Sequence, residues 1–254
     1  MCFFINAAYP QVNFLGKPGY MTTPTAGWEE ERQLGLSFSY LPWEYSIFRP
    51  VSKANDSFFY SVRAGFVSFM DVNLSIAYRP DLSDEVGIGD RQLDFRFHLF
   101  KEGVIRPSVV VGWTPPGSVS PVLAHDYLVL SKNIHFLGNF QVTAGYGSPF
   151  IIQRDKSIDG FFQSFLLKKK NEFGRSDYLQ GIFGSIAYNP VDFAGLMVEY
   201  NTNTYNAGIF ISIADQYYLQ VYSLEGKSWA LNIAAQFRLD LYPKALRRYE
   251  KDMD

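Results

Sequence analysis

The chain alternates between large apolar and polar residues along many short segments, and residues 91–100, RQLDFRFHLF, show the pattern most clearly. Leu93, Phe95, Phe97 and Leu99 fall on one parity, and the polar residues between them fall on the other. Because successive side chains of a β-strand point to opposite faces, this alternation predicts a strand. The apolar face would pack inward in a soluble sandwich, whereas it would face lipid in a membrane barrel.

The same alternation recurs along the chain and predicts about twelve strands, many of them close to the ~9–11 residues that a tilted membrane strand needs. Helical periodicity is almost absent. Besides 91–100, the pattern is strong at 33–41, 57–66, 71–79, 139–147 and 228–239, and weaker at 107–113, 125–133, 180–188, 194–200, 205–213 and 216–224.

The polar face of these segments decides between the sandwich and the barrel. It consists mainly of Gly, Ser, Asn, Gln and Thr, which suit a narrow lumen better than a solvent-exposed sheet face. Aromatic residues make up 17% of the chain and charged residues 19%, and Tyr and Trp concentrate near strand ends, as in interfacial girdles. We therefore predict an all-β fold, an antiparallel transmembrane β-barrel of about 12 strands.

Connection lengths indicate how the barrel would be oriented. Strand parity places five short connections at the end that holds the C-terminal tail, namely 67–70, 101–106, 134–139, 189–192 and 214–215. Most long connections lie at the other end, namely 42–56, 80–90, 114–123 and 147–177. Short periplasmic turns and long external loops are typical of outer-membrane barrels. We therefore expect the protein in the bacterial outer membrane, surrounded by its lipids.

The chain divides into four parts. Residues 1–12 form a short apolar stretch that is read either as a signal-peptide remnant or as an ordinary N-terminus. Residues 13–31 form a Gly/Pro-rich segment, which could fold into the lumen as a plug or pair as an extra strand. Residues 32–240 form the barrel, and residues 241–254 form a periplasmic tail. The single cysteine, Cys2, excludes disulfides within the chain.

Seven side chains on the predicted lumen face are candidates for function because they carry charge or can titrate. They could line a channel that attracts acidic polymers, or they could pair with one another and close a narrow barrel. We favour pairing, since it satisfies buried charge. The seven are Arg63, Arg79, Asp94, Arg96, His98, Glu199 and Arg238.

Two further sets of residues are candidates for binding and for chemistry. Lys168, Lys169 and Lys170 lie in a long external connection, where they could contact lipid phosphates or an anionic polysaccharide, or simply be solvated. His125 beside Asp126 could serve a barrel enzyme acting on lipid or glycan, but neighbours on a strand point apart and no nucleophile motif accompanies them. We therefore expect no enzyme activity. No metal-ligand spacing or nucleotide motif occurs, so no metal or cofactor is expected.

Several phrases together resemble the YjbH-like outer-membrane proteins, which are associated with exopolysaccharide and capsule production. They are NFLGKPGYMTTPTA at 13–26, GIGDRQLDFRFHLFKEG at 87–103, YLVLSK at 127–132, FGSIAYNP at 183–190 and VEYNTNTYNAGI at 198–209.

The resemblance implies a non-enzymatic role in secretion or assembly of exopolysaccharide or capsule, with the polysaccharide and other export proteins as partners. A structural or small-solute barrel remains the alternative, besides the barrel enzyme. The formal net charge of −2 gives no reason to expect nucleic acid as a partner.

Overall fold

The structure, a computed structural model, describes residues 11–28, 33–46, 55–80, 90–116, 123–135, 139–154, 157–158, 160, 164–170 and 178–239. The first ten residues of the predicted N-terminal part and the predicted tail at 241–254 lie outside the described residues. In the described part, no helix is long and apolar enough to span a membrane.

Twelve strands form one closed antiparallel barrel. The prediction of an all-β fold with a barrel of this size is confirmed. The strands are β3 (Gln33–Leu41), β4 (Ser57–Val67), β5 (Met70–Tyr78), β6 (Asp90–Phe100), β7 (Ser108–Trp113), β8 (Tyr127–Ile134), β9 (Asn139–Gly147), β12 (Gly181–Val191), β13 (Ala194–Tyr200), β14 (Tyr205–Ile213), β15 (Tyr217–Leu224) and β16 (Ser228–Arg238). Around the barrel they lie in the order β12-β13-β14-β15-β16-β3-β4-β5-β6-β7-β8-β9.

The alternation along each strand separates the two faces of the barrel wall. In β5, Asp71, Asn73 and Ser75 are buried inside the barrel, whereas Leu74, between them, is 41% exposed on the outside. The same division holds in β6, where Asp94 is buried and its neighbours are only partly so. Because the side-chain period of a strand is two, the register of each pair keeps one face of every strand inside the barrel and the other outside. The inner face holds most of the polar strand residues, together with apolar side chains such as Phe59 and Phe183.

Residues 11–28 fill the interior of the barrel, and we call this segment the plug. It contains a small hairpin formed by β1 (Gly19–Tyr20) and β2 (Thr23–Pro24), and an isolated bridge joins Val12 to Pro18. Every residue from 11 to 26 is buried. Residues 11–26 thus lie in the lumen, between the strands of the barrel. Residues 11 and 12, grouped above with the preceding stretch, are part of the plug.

One glycine of the plug is required by its position. Gly16 has a φ of +79°, which glycine adopts without steric cost. A Cβ built on it would lie 2.4 Å from the Cβ of Ser61 on β4. The backbone of the plug at Gly16 therefore lies directly against β4, and a side chain at this position would push the plug away from the barrel wall.

The long connection between β9 and β12 contains a hairpin that the sequence pattern did not predict. Its strands are β10 (Phe150–Arg154) and β11 (Phe165–Lys169), paired antiparallel and outside the closed barrel. Each strand has only five residues, too few for alternation to be distinguished from the background. A short 3-10 turn at Trp43–Tyr45 follows β3.

Candidate functional site

Lys17 of the plug lies in a buried polar cluster against the wall. Its ammonium is 2.6 Å from Asp94 Oδ2 and also contacts His125 Nε2. Asp94 Oδ1 in turn accepts hydrogen bonds from Gln92 Nε2 at 2.5 Å and from Thr114 Oγ1 at 2.9 Å. A buried ammonium is tolerated only when it is paired and hydrogen-bonded. These contacts therefore attach the turn of the plug to β6.

His125 takes part in this cluster as a neutral ring. Burial lowers the pKa of His125 to about 3, so the ring is uncharged at neutral pH. Its Nδ1 donates to the Leu123 carbonyl at 2.6 Å, which leaves Nε2 to accept from Lys17. The Asp126 carboxylate accepts from the backbone N–H of Thr114 at 2.8 Å. The two side chains considered above as an acid–base pair thus have separate partners.

A second cluster joins two arginines, one carboxylate and the end of the plug. Arg96 Nη1 is 3.0 Å from Asp71 Oδ2, and Arg63 Nη1 is 3.4 Å from the same oxygen. Arg96 Nη2 donates to the carbonyls of Thr25 and Gly27, both at 3.0 Å. The planar guanidinium can bond to several acceptors at once, so Arg96 ties β5, β6 and the outgoing plug chain together.

Glu199 on β13 binds the hairpin turn of the plug through hydrogen-bond donors, and no cation lies against it among the residues that the structure describes. Its carboxylate accepts from the backbone N–H groups of Thr22 and Thr23, each at 3.0 Å. It also accepts from the hydroxyl of Thr22, from that of Thr23 at 2.9 Å, and from Asn206 Nδ2 at 2.8 Å. Charge-assisted hydrogen bonds of this kind are about twice as strong as neutral ones. The acidic group is therefore stabilised by the plug itself.

Apolar side chains of the plug fill the space between these polar contacts. Phe14 packs edge-on against Phe59 of β4 and against Tyr178, with ring centroids 5.0 and 5.3 Å apart. Leu15 and Met21 have no exposed surface. Close packing of this kind has the density of a protein core. The lumen along the plug is therefore a filled interior and not an open channel.

The seven candidates for the lumen face divide into three groups. His98 is partly buried and stacks on Trp28, with ring centroids 4.6 Å apart. Arg238 has the inward parity but lies exposed at the end of β16, where the barrel wall ends. Arg79, at the other end of the barrel, pairs with Asp90 at 3.5 Å. Arg79 belongs to the largest group, whose members are buried: Arg63, Arg79, Asp94, Arg96 and Glu199.

The three lysines considered for contact with lipid or polymer have different surroundings. Lys169 is exposed and Lys168 is partly buried on β11. Lys170 is buried, and its ammonium donates to the Tyr178 carbonyl at 3.3 Å. Burial lowers the pKa of Lys170 to about 8. The contact expected for Lys170 is therefore corrected: its ammonium is buried inside the protein.

The strand pattern does not reveal all the residues that complete these clusters. Asp71 has the same parity as Asn73 and Ser75 and could have been found by extending the inward face of β5 by one residue. Lys17 and Thr22 carried no such signal, because the plug has no regular period. Their partners, Asp94 and Glu199, are far away in the sequence.

The fold and these contacts define a class, that of twelve-stranded barrels whose polar lumen is closed by an N-terminal plug. The model of the YjbH family, described as exopolysaccharide biosynthesis protein YbjH, matches residues 11–249. The chain therefore belongs to this family, and the resemblance noted in its motifs is confirmed. No curated protein matches it significantly.

Proposed function

We propose that this protein is a bacterial outer-membrane barrel that takes part, without catalysing a reaction, in the secretion or assembly of exopolysaccharide or capsule. The family supports the link to exopolysaccharide. The observation that supports the proposed membrane placement is the apolar outer face of the barrel wall.

Large apolar side chains cover the middle of the outer face all round the barrel. Five that lie on different strands are between 41% and 50% exposed: Leu36, Leu74, Ile186, Val198 and Ile233. Soluble monomers rarely expose continuous apolar patches larger than a few hundred Å². In a bilayer the same surface is favourable, and the closed barrel satisfies every backbone group of the wall except at its ends.

The filled lumen supports a role in which polymer does not pass through this barrel while the plug is in place. Removing the plug would leave Asp94 without Lys17 and Glu199 without its backbone donors. Both carboxylates would then face a lumen open to water, and the charge-assisted hydrogen bonds and close packing that the plug supplies would be lost. We therefore propose that the barrel acts as a sealed membrane component of the secretion or assembly machinery.

Cells that lack the protein test the role in secretion. We expect polysaccharide to decrease at the cell surface and to accumulate inside, and expression of the wild-type protein should restore the normal distribution. Unchanged amounts at both places would contradict the proposal.

Planar bilayers test the sealed lumen separately. The purified wild-type protein should insert without producing discrete conductance steps, whereas a variant lacking residues 11–28 should conduct if it folds. Steady conductance by the wild type, at the level expected of an open barrel, would show that the plug does not seal the lumen.

A further inference from the structure

The turn between β6 and β7, residues 101–106, presents apolar side chains where a turn normally presents polar ones. Val104 is 97% exposed and Ile105 is 90% exposed. Full burial of one such side chain is worth roughly 1.5–3 kcal/mol. Leaving two of them at the tip of a turn is therefore costly in water, and it indicates a surface that is covered by something else.

The shape of this turn is held firmly by the neighbouring strand. Glu102 accepts from the backbone N–H of Asn133 at 2.9 Å and from Asn133 Nδ2 at 2.6 Å, and it pairs with Lys132 at 2.5 Å. Gly103 N–H donates to the Arg106 carbonyl at 2.9 Å. The exposure of the tip is therefore a property of an ordered turn.

The tip continues the apolar outer wall of the barrel. His98 pairs with Val110 and Phe100 pairs with Val109, so Leu99 is an extra residue in β6. This bulge turns both Leu99 and Phe100 outward, each about half exposed, at 51% and 52%. An apolar strip thus extends along β6 as far as the turn.

Two other turns at the same end of the barrel also carry an exposed apolar residue. Phe69, between β4 and β5, is 57% exposed, and Phe193, between β12 and β13, is 62% exposed. In the barrel order the turn between β4 and β5 and the turn between β6 and β7 are neighbours, and β8 and β9 separate them from the turn between β12 and β13. A protein bound to the two neighbouring turns would leave Phe193 uncovered, whereas a lipid leaflet would reach all three.

The charges beside the tip complement lipid phosphates. Lys101 and Arg106 are exposed on either side of the apolar pair, and the Arg106 guanidinium lies 5.8 Å from the centroid of the Phe100 ring. The only acidic residue of the turn, Glu102, is paired with Lys132. Long basic side chains can cover apolar surface while their charged ends reach the phosphate level.

We propose that the turn of residues 101–106 is a lipid-interface anchor. Val104 and Ile105 insert among the acyl chains just below the phosphates of the leaflet at the short-turn end, and Lys101 and Arg106 contact those phosphates. This inference rests on the proposed membrane placement.

Fluorescence quenching in vesicles of phosphatidylethanolamine and phosphatidylglycerol tests the anchor. In a Cys2→Ser background, one environment-sensitive dye is attached to a single cysteine introduced by Ile105→Cys. Ile233→Cys, in the middle of the outer wall, reports on membrane placement. Gln216→Cys, in the polar turn between β14 and β15, is the matched control at the same end of the barrel.

We expect the dye at position 105 to be quenched by lipids labelled near the headgroup and protected from iodide, and the dye at 216 to be quenched by iodide. Replacing Lys101 and Arg106 by Gln should weaken the lipid quenching at 105. If the dye at position 233 is quenched by lipid but the dye at position 105 is quenched by iodide like the dye at position 216, the anchor is wrong and the membrane placement stands. If 233 is also not quenched by lipid, the membrane placement itself fails and the anchor fails with it.

Discussion

The plug is held by two kinds of contact on distant parts of the wall, at β6 and at β13, with β7, β8, β9 and β12 between them in the barrel order. At β6 the acidic group Asp94 is neutralised by the ammonium of Lys17. At β13 the acidic group Glu199 is held by N–H and O–H donors of Thr22 and Thr23. A buried carboxylate can thus be stabilised by one cation or by several dipoles.

The two ways of stabilising a buried carboxylate respond differently to substitution. An ion pair has two members, and replacing both by apolar residues of similar size is often neutral or stabilising. Two of the five donors around Glu199 are backbone N–H groups, and replacing the side chains of Thr22 and Thr23 by apolar ones would leave these N–H groups in place. The barrel should therefore tolerate a paired change at β6 but no change of this kind at β13.

The largest effect is expected for Glu199→Leu. The backbone N–H groups of two threonines and their hydroxyls would lose their acceptor, and each buried donor without a partner costs ~1–3 kcal/mol. We expect a loss of ~4–6 kcal/mol in the free energy of unfolding, measured by urea unfolding in lipid vesicles. Glu44→Leu, at an exposed position, is the control and should change it by less than ~0.5 kcal/mol. Equal small effects in both variants would contradict the role of Glu199.

A somewhat smaller loss is expected for Asp94→Leu alone, because it leaves the buried Lys17 without a counter-ion. Breaking such a pair costs ~3–5 kcal/mol. The double variant Lys17→Met with Asp94→Leu should recover most of this loss in the same urea experiment. If the double variant is as unstable as the single one, the ion pair is not what holds the plug at β6.

The smallest effect on the free energy of unfolding is expected for substitutions that change only the packing inside the lumen. A Cβ on Gly112 of β7 would lie 2.1 Å from Cε1 of Tyr127, whereas a Cβ on Gly65 of β4 would have its nearest neighbour at 3.8 Å. Overpacking a filled core costs ~1–3 kcal/mol. Gly112→Ala should therefore lower the unfolding free energy by about this amount, and Gly65→Ala should leave it nearly unchanged. The same loss in both would mean that the filling of the lumen does not limit side-chain size.

The barrel could be predicted in detail because every barrel strand has one face toward the lumen and the other toward the outside. Alternation in β6 or β16 reports at each second residue whether the side chain faces inward or outward, and this also placed Arg63, Asp94, Arg96 and Glu199 on the inner face. The hairpin of β10 and β11 could not be found in this way, since it lies outside the wall.

The candidate site was predictable only in part. The pairing of Arg96 with Asp71 follows from two inward positions that face each other on adjacent strands. Lys170 was misjudged because a run of three lysines resembles a solvated segment, and only the fold brings the third beneath Tyr178.

By itself, the sequence determined the strand period, the number of strands and the two faces of the wall, because these depend on neighbours only one or two residues apart. Only the tertiary structure decided which groups meet inside. Closing the barrel brings Thr22 to Glu199, 177 residues away, and Lys17 to Asp94. The plug has no periodicity that would signal its path, because that path depends on contacts with side chains that are distant in the sequence.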